Sequence, residues 1–324
     1  MSVVKQDDNK FSVVGHINKY RVFLIFIVMC ILASFLSDAF FTVTNLFNVA
    51  RQVSITAIIA AGMTLVILIA GIDLSVGSIL AFSGATVAGM LTANIPLPLA
   101  IVLALLVGVM FGLTNGLIVT KFGVPSFIVT LALMTIGRGM TLVYTKGYPL
   151  VVSNSSFRII GGGKILGIPL PILIMLVIYA VMYWVLHYTS FGRYVYAIGG
   201  NEEASRLSGI RVDQVKIVVY GISGFLASLS SLIYTSRLMS AQPTAGMGVE
   251  LDAIAAVIIG GTSLSGGKGG IVGTLVGALI MGVLDNVLNL TNVSPFYQSI
   301  AKGLVILVAV ILDGKFSQLK NYKK

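Results

Sequence analysis

Long apolar runs separated by short polar segments make up most of this sequence, and they leave few folds open to it. Most of these runs contain the roughly 20 apolar residues that a helix needs to cross a bilayer. We therefore predict an all-α integral membrane protein, a polytopic helical bundle of about ten transmembrane helices. The predicted spans are 22–40, 48–70, 75–91, 98–119, 125–145, 169–187, 212–236, 250–262, 271–289 and 297–313.

The run at 250–262 is too short to cross by itself. It either joins the preceding turn or forms a partial helix that lines a cavity. The first run is longer than the core of a signal peptide and has no obvious small-residue cleavage site after it, so we interpret it as a retained span. Cys30 is the only cysteine, which excludes an intramolecular disulfide.

The charged residues predict how the chain is oriented. If both termini lie in the cytoplasm, fourteen of the 21 lysines and arginines fall on cytoplasmic segments and five on outer segments. The other two, Arg138 and Lys302, fall within spans. This bias is the one expected for a cytoplasmic inner side. It divides the chain into a cytoplasmic N-terminal segment (1–21), a transmembrane domain (22–313) and a basic cytoplasmic tail (314–324). The net charge of +10 does not indicate nucleic acid, because the sequence shows no basic groove or aromatic ladder.

The densest polar run between the termini predicts one short cytoplasmic helix with both ends specified. Asn201 is a favoured N-cap, and Glu202 and Glu203 place negative charge on the positive first turn. Arg206 lies towards the negative end, and Gly209 suits the left-handed position after a helix.

The same helix would place its apolar residues, Ala204 and Leu207, on one face. So short a helix is marginal in water unless something packs on it. Two interpretations therefore stay open from the local sequence: a well-capped solvent loop, or a docking helix for a soluble partner.

Two stretches of unusual backbone, Gly71–Ser78 and Gly260–Gly270, fall at predicted cytoplasmic ends of spans. Asp73 is placed to cap a helix that starts at Leu74. The second stretch is not a phosphate loop, because Thr262 stands where that motif needs its first glycine and Gly269 follows the lysine instead of a hydroxyl residue. We expect no ATP site, cofactor, metal site or catalytic group in this chain. Glycines at four-residue spacing, such as Gly108, Gly112 and Gly116, predict close helix packing.

Ionisable groups inside spans are costly and are therefore candidates for function. Here they are Arg138, Asp285 and Lys302, and Asp285 could pair with either cation. The candidate residues for a pathway or for helix pairing are Asn115, Arg138, Asp285, Asn286, Asn289 and Lys302, with Gln298 as a further buried amide. They fit either a polar stripe for a hydroxyl-rich solute or an ion pair that holds helices together, and we slightly favour the ion pair.

Several motifs now combine into a recognisable pattern. They are Gly71-Ile72-Asp73-Leu74-Ser75-Val76-Gly77-Ser78, Gly199-Gly200-Asn201-Glu202-Glu203-Ala204, Ser208-Gly209-Ile210, Ala241-Gln242-Pro243-Thr244, Leu251-Asp252-Ala253-Ile254-Ala255-Ala256-Val257 and Gly260-Gly261-Thr262-Ser263-Leu264. Together, and in this order over residues 20–314, they resemble the permease subunits of bacterial ABC importers for simple sugars.

The resemblance implies roles for the motif residues. Segment 200–210 would be the coupling helix that docks on an ATPase subunit, through Asn201, Glu202, Glu203, Ala204, Arg206, Leu207, Gly209 and Ile210. A second group would belong to the cytoplasmic surface around that contact: Asp73, Ser75, Gly77, Gly261, Thr262 and Gly267. The loop 146–168 and the segment 237–250 are candidates for receiving a binding protein on the outer side.

The resemblance also implies partners, a location and a substrate. The partners would be an ATP-binding subunit with tandem or paired ATPase domains, a periplasmic or lipid-anchored sugar-binding protein, a second permease chain (a homodimer) and membrane lipid. The chain would be a multi-pass protein of the bacterial inner membrane and not itself an enzyme. Ribose is the first candidate substrate, and other pentoses, hexoses and furanosyl signalling molecules are the alternatives.

Two other transport functions compete with this interpretation, and each can be distinguished from it. An ion-coupled secondary transporter would show a clearer set of membrane carboxylates or broken helices, and only Asp285 qualifies in the sequence. A branched-chain amino-acid permease of the same superfamily would be revealed by its gene neighbourhood, with two dissimilar permeases and two ATPases.

Overall fold

The computed structural model describes the backbone of residues 8–321 and the side chains of residues 22–311. Within that range the fold is almost entirely helical. The helices are α1 (Asp8–Leu36), α2 (Val43–Leu68), α3 (Val76–Thr92), α4 (Leu97–Phe122), α5 (Ser126–Thr145), α6 (Ser155–Gly162), α7 (Leu170–Tyr188), α8 (Ser190–Gly200), α9 (Glu202–Leu207), α10 (Val212–Leu238), α11 (Val249–Ile259), α12 (Ile271–Leu290) and α13 (Pro295–Asn321).

Four two-residue strands close one end of the bundle. They are β1 (Leu150–Val151), β2 (Lys164–Ile165), β3 (Ile168–Pro169) and β4 (Ser240–Ala241). β1 pairs with β4 in antiparallel register, with Leu150 opposite Ala241. β2 and β3 form a small hairpin. The β1–β4 pair joins the loop after α5 to the end of α10, although Leu150 and Ala241 are 91 positions apart in sequence.

The predicted all-α membrane protein is confirmed, whereas the count of ten spans stays a prediction. Six helices in the described part of the chain are long and apolar enough to cross a membrane: α2, α4, α5, α7, α10 and α12. Three shorter apolar stretches, in α1, α3 and α13, add to them. α11 has only 11 residues, so the run at 250–262 is a partial helix, one of the two predicted possibilities.

The outer bounds of the predicted membrane domain fall inside α1 and α13, because both helices continue past residues 22 and 313. The predicted placement of both termini in the cytoplasm rests largely on side chains outside the described residues, and it stays a prediction.

α2 and α10 form the centre of the bundle, and the other long helices surround them. Most of the central stretch of α2 is buried, and its fully buried residues include Ile58, Met63 and Leu68. α4, α5 and α7 instead leave most of their apolar surface uncovered, with residues such as Met110 and Trp184 exposed. So much exposed apolar surface is incompatible with water and fits a lipid surround.

Candidate functional site

Helix α9 begins and ends where its sequence signals place it. It spans the six residues Glu202–Leu207, and the side-chain oxygen of Asn201 accepts a hydrogen bond from the Ala204 N–H at 2.9 Å. Gly209 follows with a φ of +83°, a left-handed conformation that favours glycine. The predicted capped helix is thus confirmed. The sequence did not predict α8, which precedes it directly.

α9 presents its two apolar side chains away from the rest of the chain. Ser205 is buried against the bundle, whereas Glu203 and Ala204 are exposed. Leu207 is 84% exposed. Since a six-residue helix cannot persist in water by its own hydrogen bonds, contacts with the bundle must hold it.

Ion pairs supply those contacts by joining α9 to the first turns of α10. Arg206 donates to the Asp213 carboxylate at 2.8 Å and also lies 3.5 Å from Glu202. Lys216 donates to Glu202 at 2.6 Å. The hydrogen bond and the negative charge of Asp213 raise the pKa of the Arg206 guanidinium above its ordinary value. Although each exposed pair is weak, the network fixes the orientation of α9 on α10.

Two of the motif segments that resemble the permease family, 199–204 and the turn 260–270, meet at this end of the bundle. Gly267 N–H donates to the Leu68 carbonyl at 2.9 Å, and the Tyr196 hydroxyl donates to the Gly269 carbonyl at 3.0 Å. A Cβ on Gly199 would lie 1.7 Å from the Leu68 carbonyl oxygen, so only glycine permits this approach. The end of α2, the α8–α9 corner and the turn 260–270 therefore form one surface, which we call the motif face.

A cleft of about 380 Å³ lies behind α9 on the motif face. Its lining includes Glu202, Arg206 and Lys216 on one side and the α4–α5 turn around Pro125 on the other. α9 is thus attached to the bundle mainly through α8 and α10 and borders a cleft next to α4 and α5.

The amide groups of the glycine-rich turn donate hydrogen bonds to acceptors within this chain. Gly266 N–H donates to the Ser263 carbonyl, Gly267 N–H donates to Leu68, and Gly270 N–H donates to the Thr262 hydroxyl. Gly261 has a φ of +89°, which explains the glycine there. Because these donors already have protein acceptors, the turn is not arranged to cradle a phosphate.

Two expectations for Asp73 are wrong. α3 begins at Val76, with Ser75 rather than Asp73 as its N-cap residue. Asp73 is also fully buried and does not lie on the cytoplasmic surface. Its carboxylate accepts bonds from the Ser75 N–H and hydroxyl (3.0 and 2.6 Å) and from the Ser223 hydroxyl at 2.8 Å. These three donors compensate for the loss of water, and so they favour the interior position.

Asn115 and Gly77 belong to the same interior region. The Asn115 amide donates to the Ser75 hydroxyl at 2.8 Å, so Asn115 supports the turn before α3. A Cβ on Gly77 would lie 2.4 Å from the Gly246 carbonyl oxygen. Ser75, Gly77 and Asn115 therefore pack inside the bundle, away from the other motif residues at the motif face.

Of the two cations that the sequence offered to Asp285, the structure pairs it with Lys302 and not with Arg138. Lys302 lies 3.0 Å from Asp285 and 2.9 Å from Asp252, so one cation joins α11, α12 and α13. Arg138 contacts neither carboxylate and instead donates to the carbonyls of Pro243 and Ala245 at 3.0 and 2.7 Å.

The sequence analysis missed Asp252 and Glu250 as partly buried charges. Both stand in the short run 250–262, where the rule that selected Asp285 would also have found them. With the fully buried Asp73, they give the apolar part of the chain more sheltered carboxylates than expected.

The predicted amide stripe separates into two pairs. Asn286 and Asn45 exchange hydrogen bonds of 2.8 and 2.9 Å, which joins α12 to α2. The Gln298 amide donates to Asn289 at 3.0 Å, which joins α13 to α12. Since each amide has a partner on a neighbouring helix, these contacts favour a packing role over a pathway for solute.

Comparison with known proteins agrees with this architecture. Residues 45–310 match the family model for the branched-chain amino acid transport system, permease component. The chain is 51% identical to the ribose import permease protein RbsC of Haemophilus influenzae, over 96% of this chain and 98% of that protein. It is 52% identical to RbsC of Escherichia coli K12, over 89% of this chain and 91% of that protein. It is also 52% identical to RbsC of Bacillus subtilis, over 94% of this chain and 95% of that protein. No solved structure matches the chain significantly.

A match over most of the chain, together with apolar helices that need a lipid surround, establishes a multi-pass membrane protein without an enzymatic role of its own. The chain belongs to the family of ABC transporter permease components that contains the ribose import permeases.

Proposed function

We propose that this chain is the membrane permease of an ATP-driven importer for ribose in the bacterial inner membrane. The assignment of ribose as the substrate rests on how sequence identity differs among the sugar permeases. Identity is 51–52% to the three ribose import permeases. It falls to 39% for the D-allose permease of Escherichia coli K12 and to 36% for the L-arabinose permease of Azospirillum brasilense.

Uptake of labelled sugars tests this substrate. In cells that carry the complete operon, deletion of this chain should abolish ribose uptake, and plasmid-borne chain should restore it. Allose and arabinose serve as matched controls and should enter at least about tenfold more slowly. Normal ribose uptake in the deletion strain, or a preference for allose, would contradict the proposal.

We further propose that α9 is the coupling helix, through which an ATP-binding subunit moves this membrane domain. Exposed Ala204 and Leu207 offer an apolar contact, and Glu203 offers a charge, on a helix that the ion-pair network, including Glu202–Lys216, orients on α10. The ATPase cycle would move α9, and α10 would carry the movement into the bundle. A second copy of this chain and a periplasmic binding protein would complete the importer, with the loop 146–168 facing that binding protein.

Two substitutions on α9 test the docking. Glu203→Arg and Leu207→Asp should abolish co-purification of the ATP-binding subunit and reduce ribose uptake by about tenfold or more, while the permease stays in the membrane. Leu166→Asp is a matched control for co-purification only, because Leu166 is 97% exposed in the β2–β3 turn, within the loop that would face the binding protein and away from α9. Co-purification unchanged by both α9 substitutions would remove α9 from the interface.

A further inference from the structure

An irregular segment, residues 242–248, lies at membrane depth between β4 and α11. Gly246 packs against Gly77 at the start of α3, and the next residue, Ser78, packs against Gly137 of α5. Gly137 stands eight residues before the end of α5 at Thr145, which is about 12 Å at 1.5 Å per residue. The segment therefore descends well below the outer end of the helices.

One side of segment 242–248 is covered by this chain. Pro243, Ala245 and Gly246 are buried. Arg138 donates from a single nitrogen, Nη1, to the carbonyl oxygens of Pro243 and Ala245, which a continuous helix would have satisfied itself. Arg138 thus replaces helical hydrogen bonds along an unwound stretch.

The other side of the segment is left open. Thr244 is exposed, as are Met247 at 68% and Leu251 at 49%. The Nε and Nη2 atoms of Arg138, itself partly exposed, have no hydrogen-bond partner among the described residues. Irregular backbone and an incompletely bonded cation cannot face hydrocarbon, where each unsatisfied group costs several kcal/mol. This face must therefore meet either water or protein.

We propose that the open face of segment 242–248, together with Arg138, lines the aqueous route of the sugar. The Thr244 hydroxyl and the free N–H groups of Arg138 donate hydrogen bonds to the oxygens of sugar hydroxyl groups. Met247 and Leu251 supply an apolar surface for the ring carbons. The identity of the solute rests on the proposed function. The geometry itself requires only that hydrocarbon does not cover this face, and the accessibility experiment distinguishes water from protein.

Cysteine accessibility tests the proposal in the assembled importer. In a Cys30→Ser background, Thr244→Cys and Met247→Cys should react with a membrane-impermeant cationic thiosulfonate at least about tenfold faster than Met110→Cys. Met110 is the matched control, because it is 66% exposed on the apolar outer stripe of α4. Ribose, with its binding protein and ATP present, should slow labelling at Thr244→Cys by about twofold or more.

Three outcomes separate the possibilities. Labelling at both positions no faster than at Met110→Cys would overturn the aqueous route. Slow labelling in the absence of ribose, combined with an oxidant-induced disulfide between two copies, would place the face in a dry contact between permease chains and would also overturn it. Rapid labelling, together with no ribose uptake by the importer that carries neither substitution, would refute the proposed substrate and leave the aqueous route standing.

Discussion

Helices α2 and α4 have the same length, 26 residues, and opposite positions in the bundle. α4 is the more apolar of the two, yet only 22% of its most apolar stretch is buried, against 83% for α2. In a soluble protein the more apolar helix would be the more buried one. Here lipid accepts apolar side chains as readily as the protein interior does, so hydropathy does not decide which helix lies inside.

The position of small residues decides instead which face of a helix is buried. The buried positions of α4 are Ala100, Ala104, Gly108, Gly112, Asn115 and Gly116, a narrow stripe at nearly four-residue spacing. This stripe lies against α10, where a Cβ on Gly112 would be 2.1 Å from the Tyr220 carbonyl oxygen. Close backbone approach supplies the van der Waals contact that holds helices together in lipid.

The largest expected effect comes from filling that stripe. Gly112→Leu should force α4 away from the α10 backbone and destabilise the fold by about 3 kcal/mol or more, because backbone cannot move aside as a side chain can. Gly139→Leu in α5 is the control, since a Cβ there meets nothing within 4 Å. The recovery of monodisperse protein after heating in detergent measures both. Equal stability of the two variants would show that the stripe does not hold α4.

A matched methionine pair tests burial directly. Met63 in α2 is fully buried, whereas Met110 in α4 is 66% exposed. Met63→Ala should leave a cavity and cost about 2–5 kcal/mol. Met110→Ala should cost under about 0.5 kcal/mol, because lipid chains can occupy the vacated space. The difference in apparent melting temperature measures the contrast, and equal shifts would contradict the burial assigned to α2.

The smallest effect concerns one hydroxyl in each helix. The Thr64 hydroxyl of α2 lies 2.8 Å from the Thr274 hydroxyl of α12, whereas the Thr114 hydroxyl of α4 bonds only its own helix at Met110. Thr64→Val should cost about 0.6 kcal/mol, a typical value for a hydrogen bond between membrane helices. Thr114→Val should be neutral within about 0.2 kcal/mol on the same scale. Identical effects would mean that the contact with Thr274 adds no stability.

The sequence alone determined the properties that depend on neighbours along the chain. Apolar runs predicted the membrane helices, and the order of Asn201, Glu202, Glu203 and Gly209 predicted α9 with its ends. These signals are local, because helix caps act within one turn. The motifs also indicated the permease family before any geometry was known.

Only the tertiary structure decided which distant groups meet. Lys302 joins Asp252, 50 positions away, as well as Asp285. Asp73 lies in the interior because Ser223, 150 positions away, completes its set of hydrogen bonds. The central place of α2 likewise follows from how helix surfaces fit one another. The physical reason is that lipid and protein interior are equally apolar, so hydropathy identifies a span but cannot choose its neighbours.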